Sequence, residues 1–247
     1  MVALGAATLF LVAVLLALGT WQVHRLSWKL DLIARVDQRV HAPPAAPPGP
    51  GQAVTAAADE YRHVAVSGSF LNDREALVQA VTDLGPGFWV MTPLRTAEGD
   101  VLINRGFVPS DHRDPATRAA GQIAGPTRVV GLLRITEPKG GFLRSNDPAA
   151  NRWYSRDVAA IAAARGLGNV APYFIDADAT PNAGNWPAGG LTVIVFPNSH
   201  LVYALTWYAL ALMLAGVACW VVRDEVRARR ASVGAGVAPA SAARPVS

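Results

Sequence analysis

Residues Phe196 to Val222 read FPNSHLVYALTWYALALMLAGVACWVV. From Leu201 to Val222 no side chain carries a charge, and a helix of about 20 mostly apolar residues is what crossing a bilayer requires. His200 stands at the mouth of this run. An imidazole at such a boundary can act in two ways. It can be an interfacial anchor, like the Tyr203 and Trp207 that follow it. It can also be an axial ligand for a haem, whose porphyrin favours an apolar, aromatic surface.

The other end of the chain mirrors this one. Met1 to Val23 carries no charged side chain, and then His24, Arg25, Lys29 and Asp31 follow. A cleavable signal peptide is the rival reading, with Ala17-Leu18-Gly19 as a cleavage site. Such peptides carry a positive n-region and a shorter apolar core, and this segment has neither. An uncleaved helix is therefore expected, and the missing basic N-terminus leaves room for a start further upstream.

Two spans put both termini on one side. Arg223, Arg227, Arg229 and Arg230 follow the second span, and such clusters favour the cytoplasmic face. Arg25, Lys29, Arg35 and Arg39 follow the first span and pull the other way. Long loops translocate largely regardless of charge, so the short tail decides. The expectation is an inner or plasma membrane protein with both termini cytoplasmic and the central region periplasmic.

The chain is 51% hydrophobic and 16% charged, with a net charge of +4. Much of the basic excess sits beside the spans, where it can meet anionic lipid. No basic stripe interleaved with aromatics marks a nucleic-acid surface. The single cysteine, Cys219, lies within the second span, so the central region has neither disulfides nor thiol ligands. Three methionines, spread along the chain, do not make the clustered soft-sulfur site that Cu(I) favours.

The sequence divides into six segments: a transmembrane helix over 1–23, a juxtamembrane helix over 24–40, and a Pro-rich linker over 41–58. A β domain over 59–199, a second transmembrane helix over 200–222 and a tail over 223–247 complete it. Leu26, Leu30, Ile33 and Val40 recur near helical spacing after the first span. HAPPAAPPGPG, His41 to Gly51, then stops any helix, because proline removes amide donors and restricts the residue before it. Arg62 to Phe70 alternates as a half-buried strand does. Glu75 to Val81, Phe88 to Leu94, Val101 to Asn104, Arg128 to Ile135, Tyr173 to Ile175 and Leu191 to Phe196 are further strands. The first and last of these strands are expected side by side. Asp157 to Arg165 reads as one short helix, capped by Asp157 and ended by Gly166. The fold class is α+β: two transmembrane helices flanking an antiparallel β barrel or sandwich-like domain. Ala231 to Ser247 is expected to be disordered.

Catalytic constellations are absent: no GxSxG elbow, no P-loop and no HExxH. Asp111-His112-Arg113-Asp114 is the best acid/base group, and a solvated turn is its plainer reading. Ser145-Asn146-Asp147-Pro148 is first a turn, because Asn and Asp side chains bond their own backbone. Arg152 and Arg156 flank Trp153 and Tyr154. They could hold an anionic group or a partner surface, or simply be solvated where a strand enters a helix. No enzyme is expected.

Together these segments resemble one family. Leu18-Gly19-Thr20-Trp21-Gln22, Arg25-Leu26 and Trp28-Lys29 look like the exit of the first span in the Surfeit-locus (Surf-one/Shy-one) cytochrome c oxidase assembly factors. The likeness continues through Tyr61-Arg62, Gly68-Ser69-Phe70, Thr92-Pro93-Leu94 and Asn104-Arg105-Gly106-Phe107-Val108-Pro109. It runs on through Asn146-Asp147-Pro148, Trp153 to Asp157, Pro172 to Asp176 and Gly189 to Thr192. It ends in Phe196 to Leu201 and Tyr203 to Trp207. Each motif is weak alone, but their order within a two-span frame is specific. The family's NRGW is Asn104-Arg105-Gly106-Phe107 here, and its Asn-Asn before the histidine is Asn198-Ser199.

The resemblance implies an assembly factor for haem-copper oxidases that binds haem a and aids its insertion into the catalytic subunit. It makes His200 the ligand of the haem iron. Haem a synthesis enzymes become possible further partners. On a helix His200, Tyr203 and Trp207 share one face, and Trp207 lies about 10 Å deeper. Trp21, His24 and Trp28 repeat that spacing on the first helix, so His24 could supply a second axial ligand. A neutral imidazole binds iron and a protonated one cannot, so binding should weaken in acid. The alternative is a cofactor-free scaffold that stabilises oxidase subunits during assembly.

Overall fold

The computed structural model describes residues 2–141 and 143–235. The chain forms two compact units. One is helical, built from residues up to Leu32 and from Phe196 onward. The other, Ile33–Val195, holds the β domain.

Helix α1 runs unbroken over Val2–His41, so the first apolar run and the juxtamembrane segment are one helix. It stops two residues before Pro43-Pro44, as proline chemistry requires. A single turn, α2, covers Ala56–Asp59, and helix α4 spans His200–Ala235, well past Val222. Residues 231–235, the start of the tail expected to be disordered, continue the helix. Residues 236–247 lie outside the described residues. Both helices are long and apolar enough to cross a membrane.

Six strands make the β domain: β1 His63–Phe70, β2 Ala76–Thr82, β3 Gly85–Arg95, β4 Asp100–Pro109, β5 Pro126–Ile135 and β6 Val170–Ala177. Their order is β1-β5-β6-β4-β3-β2, and β1 also pairs with β3. Ser69 faces Arg95 and Phe70 faces Leu94 at that join. Five strands thus close into a barrel, with β2 continuing outward from β3. All neighbours are antiparallel except β4 and β6, which are parallel. A parallel pair needs a crossover, and this one runs through β5 and the short helix α3, Val158–Ala164.

Alternation places two cores on the two faces of the sheet. Val64, Leu94, Val101, Ile103, Leu133, Tyr173 and Ile175 fill the barrel. Val78, Met91, Leu102, Trp153, Ile161 and Phe174 lie on the outer face, where α3 covers it. Ile103 and Leu102, like Ile175 and Phe174, point to opposite faces, as period two demands. Asp157 caps α3 by accepting from Ala160 N at 3.1 Å, and Gly166 follows with φ +65°.

Leu191 to Phe196 is not a strand, which corrects the expected pairing with β1. The barrel closes through the pairing of β1 with β3 instead. The segment is fastened by a side chain: Thr192 Oγ1 donates to Asp176 Oδ2 at 3.0 Å. The Pro-rich segment is not a free linker either. Ala45 bonds both sides of Val64, with Ala45 N to His63 O at 3.1 Å and Ala65 N to Ala45 O at 2.9 Å. Tyr173, inside the barrel, donates its phenol to Pro48 O at 2.9 Å.

Candidate functional site: a histidine held between two helices

In the helical unit Gly19, Ala204 and Ala211 are buried. Small residues let helix backbones approach closely. Tyr208 lies flat on that opening: a Cβ at Gly19 would come within 2.7 Å of its ring. The Tyr208 hydroxyl and Thr20 Oγ1 are 3.1 Å apart and share a hydrogen bond. Further along α1 and back along α4, Gln22 Oε1 lies 2.8 Å from Nδ1 of His200. Contacts that advance on one helix and retreat on the other make the pair antiparallel.

His200 owes its place to local sequence. Pro197 disfavours helical geometry at Phe196, and Ser199 O accepts from Tyr203 N at 3.2 Å in the first turn. The imidazole therefore emerges where the helix begins. An amide oxygen accepts, so Nδ1 is the donor of this pair, and in the neutral ring Nε2 is the nitrogen with the lone pair. A ligating histidine is typically oriented by such a partner on its other nitrogen, which fixes tautomer and ring direction.

The other expected site residues fall around this point. Tyr203 is 53% exposed, and Trp207 is half-buried. Trp21 and Trp28 on α1 are about half exposed. His24 is exposed; its carbonyl accepts from Ser27 Oγ at 3.0 Å. It lies two residues past Gln22, about 200° around a helix. The face of α1 that meets His200 is thus the Gln22 face, and His24 points the other way. Gln22 is the residue that sequence reasoning missed. The one available signal was an uncharged polar side chain at the end of an apolar run, at the same level as His200. Cations cluster at the same end: Arg25 lies 4.7 Å from the centroid of Trp28 and Lys29 5.1 Å from that of Phe196.

Among the described residues no three His, Cys, Asp or Glu side chains gather to hold a metal ion. A single neutral imidazole suits a metal whose other ligands come with it, as a porphyrin's four nitrogens do.

The chain matches the SURF1 family over residues 9–212. It is 38% identical to mouse Surfeit locus protein 1 over 219 residues, covering 82% of this chain and 70% of that protein. Against human Surfeit locus protein 1 it is 37% identical, covering 78% and 69%. Against a SURF1-like protein of Monosiga brevicollis it is 40% identical, covering 83% and 81%. The chain belongs to the SURF1 family.

The remaining motifs of this SURF1 chain hold the fold. Asn146 Oδ1 accepts from Tyr154 N at 2.8 Å and Ser155 N at 3.1 Å, which makes the expected turn. Trp153 is buried and donates Nε1 to Asn151 at 2.8 Å. Arg156 is not solvated: it bonds Glu137 at 3.0 Å and Asp176 at 3.1 Å. Burial alone would raise the Glu137 carboxyl, but the Arg156 guanidinium holds it below its ordinary value. Arg152 pairs on the surface with Asp147 at 2.7 Å. Asp114, from the candidate acid/base group, caps a turn through Ala116 N at 3.0 Å.

Proposed function

We propose that this protein is a non-enzymatic assembly factor for haem-copper cytochrome c oxidase that carries haem a to the catalytic subunit. The observation that carries this reading is His200 with Nδ1 engaged by Gln22 and Nε2 free to ligate. Nε2 would bind the iron of the cargo, and Tyr203 and Trp207 would pack on the macrocycle. His24 is the next residue to test as a second ligand, although its side of α1 faces away from Gln22. Haem a synthesis enzymes on the supply side and the oxidase catalytic subunit on the receiving side are the partners this role implies.

The same role calls for an orientation. Arg223, Arg227, Arg229 and Arg230 ride on the continuing α4, where Arg229 pairs with Glu225 at 2.8 Å. We place them on the cytoplasmic side and the β domain on the periplasmic side. Reporter fusions at Gly51 and Ser247 should then report opposite compartments.

The deciding experiment is a visible spectrum of protein purified from cells with and without haem a synthesis. The expected result is a haem spectrum in the first case only, lost in His200→Ala. A colourless wild-type protein that still supports oxidase assembly would favour the cofactor-free scaffold.

A further inference from the structure

Asn104-Arg105-Gly106-Phe107 belongs to neither the helical site nor either core. The register explains its conformation. Trp89 faces Phe107 and Met91 faces Asn104, so Arg105 and Gly106 together oppose Val90. This is a β-bulge on β4, and bulges re-aim side chains. Gly106 has φ +126°, and a Cβ there would come within 2.0 Å of Ala188 O. Asn104 locks the bulge by accepting from Gly106 N at 3.2 Å and donating to Asp176 at 2.8 Å.

The bulge turns Arg105 into the protein, where only 3% of the residue is exposed. Its guanidinium lies 4.7 Å from the centroid of Phe70, and Nη2 donates to Gly121 O. Nη1 is buried and has no hydrogen-bond partner among the described residues. Glu75, whose charge acts on Arg105, does not supply one. Glu75 is held by Arg118 through both carboxylate oxygens. Burial lowers the Arg105 pKa to about 10, and the charge persists at neutral pH. A buried cation with an unused donor is costly unless something compensates it.

A cavity of about 110 Å³ opens beside it, lined by Phe70, Thr127, Arg128, Thr180 and Asn182 among others. One water occupies about 30 Å³ of liquid, so this volume suits one small charged group and no drug-sized ligand. Asp178 also lines it, but that carboxylate already meets His63 Nε2 at 3.1 Å. Arg128 is exposed at the cavity wall. A cation with a free N–H and a second arginine at the rim match an oxyanion, for which the guanidinium fork is shaped.

We propose that the cavity beside Arg105 is a binding site for a single oxyanion group, a phosphate or a carboxylate. Arg105 Nη1 donates from within and Arg128 closes over it from the rim. The site lies in the β domain and does not depend on the haem reading.

The test is thermal unfolding of the full chain in detergent, titrated with inorganic phosphate and with acetate against chloride at constant ionic strength. A ligand that binds only the folded state raises Tm with concentration. Wild type should respond to phosphate, to acetate or to both, and not to chloride; which one responds tells a tetrahedral from a planar occupant. Arg105→Met should abolish the response, and Arg128→Gln, an exposed change that leaves the fold alone, should weaken apparent affinity by about threefold or more. Isothermal titration should report the same losses. If wild type ignores both anions, or if both variants respond as wild type does, the proposal is wrong and Arg105 is a fold-holding arginine only. Should Arg105→Met fail to fold, Arg128→Gln alone decides between these outcomes.

Discussion

The two units use the same residue type in opposite ways. Trp153 in the β domain is 1% exposed, wedged between β2 and α3 with its indole N–H bonded. Trp21, Trp28 and Trp220 in the helical unit are 54%, 48% and 68% exposed. A domain that folds around its own core hides its rings. A helical unit that leaves them open has another apolar phase to meet, either lipid or a bound macrocycle. The polar groups follow the same division. Asp176 in the domain is surrounded by Asn104, Arg134, Arg156 and Thr192, whereas among the described residues the His200 ring is bonded only by Gln22.

The comparison breaks most sharply at His200. His200→Ala should remove bound haem, with apparent affinity falling at least about a hundredfold, which is roughly 2.7 kcal/mol. The measurement is haem content and visible spectrum of a folded protein. An unchanged spectrum would rule out His200 as the ligand, and His24→Ala would be the next variant.

In the domain the matching experiment is Trp153→Ala. Removing a buried aromatic costs about 3–5 kcal/mol, enough to consume much of a domain's stability. Far-UV circular dichroism on heating should show a fall in Tm of well over ten degrees, with the helical unit's signal retained. The contrast fails if Trp153→Ala melts where wild type does.

Within the helical unit Gln22 is a polar group satisfied inside an apolar pair. Gln22→Leu should reduce haem affinity by about 10- to 100-fold, the usual effect of losing the partner behind a ligating histidine. It should also let the His200 tautomers mix. Nitrogen-15 shifts of the imidazole would read that without haem, which separates a failed orientation from a failed haem assignment. A fixed tautomer in Gln22→Leu would overturn the positioning role.

How much of this was legible follows from which forces are local. The spans, the α3 cap and the positions of all six strands lay in hydropathy and period. β4 was cut short at Asn104 because Arg105-Gly106 breaks the alternation, and a bulge does that by design. Leu191 to Phe196 has the β-branched look of a strand, but ladder partners are a property of the closed barrel and not of the segment. The parallel pairing of β4 with β6 and the meeting of Gln22 with His200 join residues far apart in the chain, beyond any local pattern. Arg156 shows the same limit: its neighbours suggested a surface, and its ion-pair partners are Asp176 on β6 and Glu137 in the loop after β5.

The domain's ion network should also make it acid-sensitive. Glu137 has its pKa below the ordinary 4.5, since Arg156 outweighs the opposing effect of burial. A carboxyl depressed in the folded state contributes stability above its unfolded value, and that contribution is lost as pH falls through the folded value. Wild type should therefore lose Tm steadily below about pH 4.5, and Glu137→Gln should show a shallower slope there from a lower starting point. Equal slopes would mean that other carboxyls, Asp59 first, carry the acid response.

The smallest effect expected is at Trp207. It is half-buried, seven residues into α4 from His200, and on the same helical face. Trp207→Phe keeps a ring and loses part of its area. Stacking is worth about 0.5–1.5 kcal/mol for a whole aromatic pair, so a fraction of that is at stake. Affinity should fall by about threefold or less, with a small shift of the haem absorption band and no change in stoichiometry. The direction matters more than the size. If Trp207 faces lipid alone, the variant should leave the band where it was. If it packs on the cargo, the band must move even when affinity scarcely does.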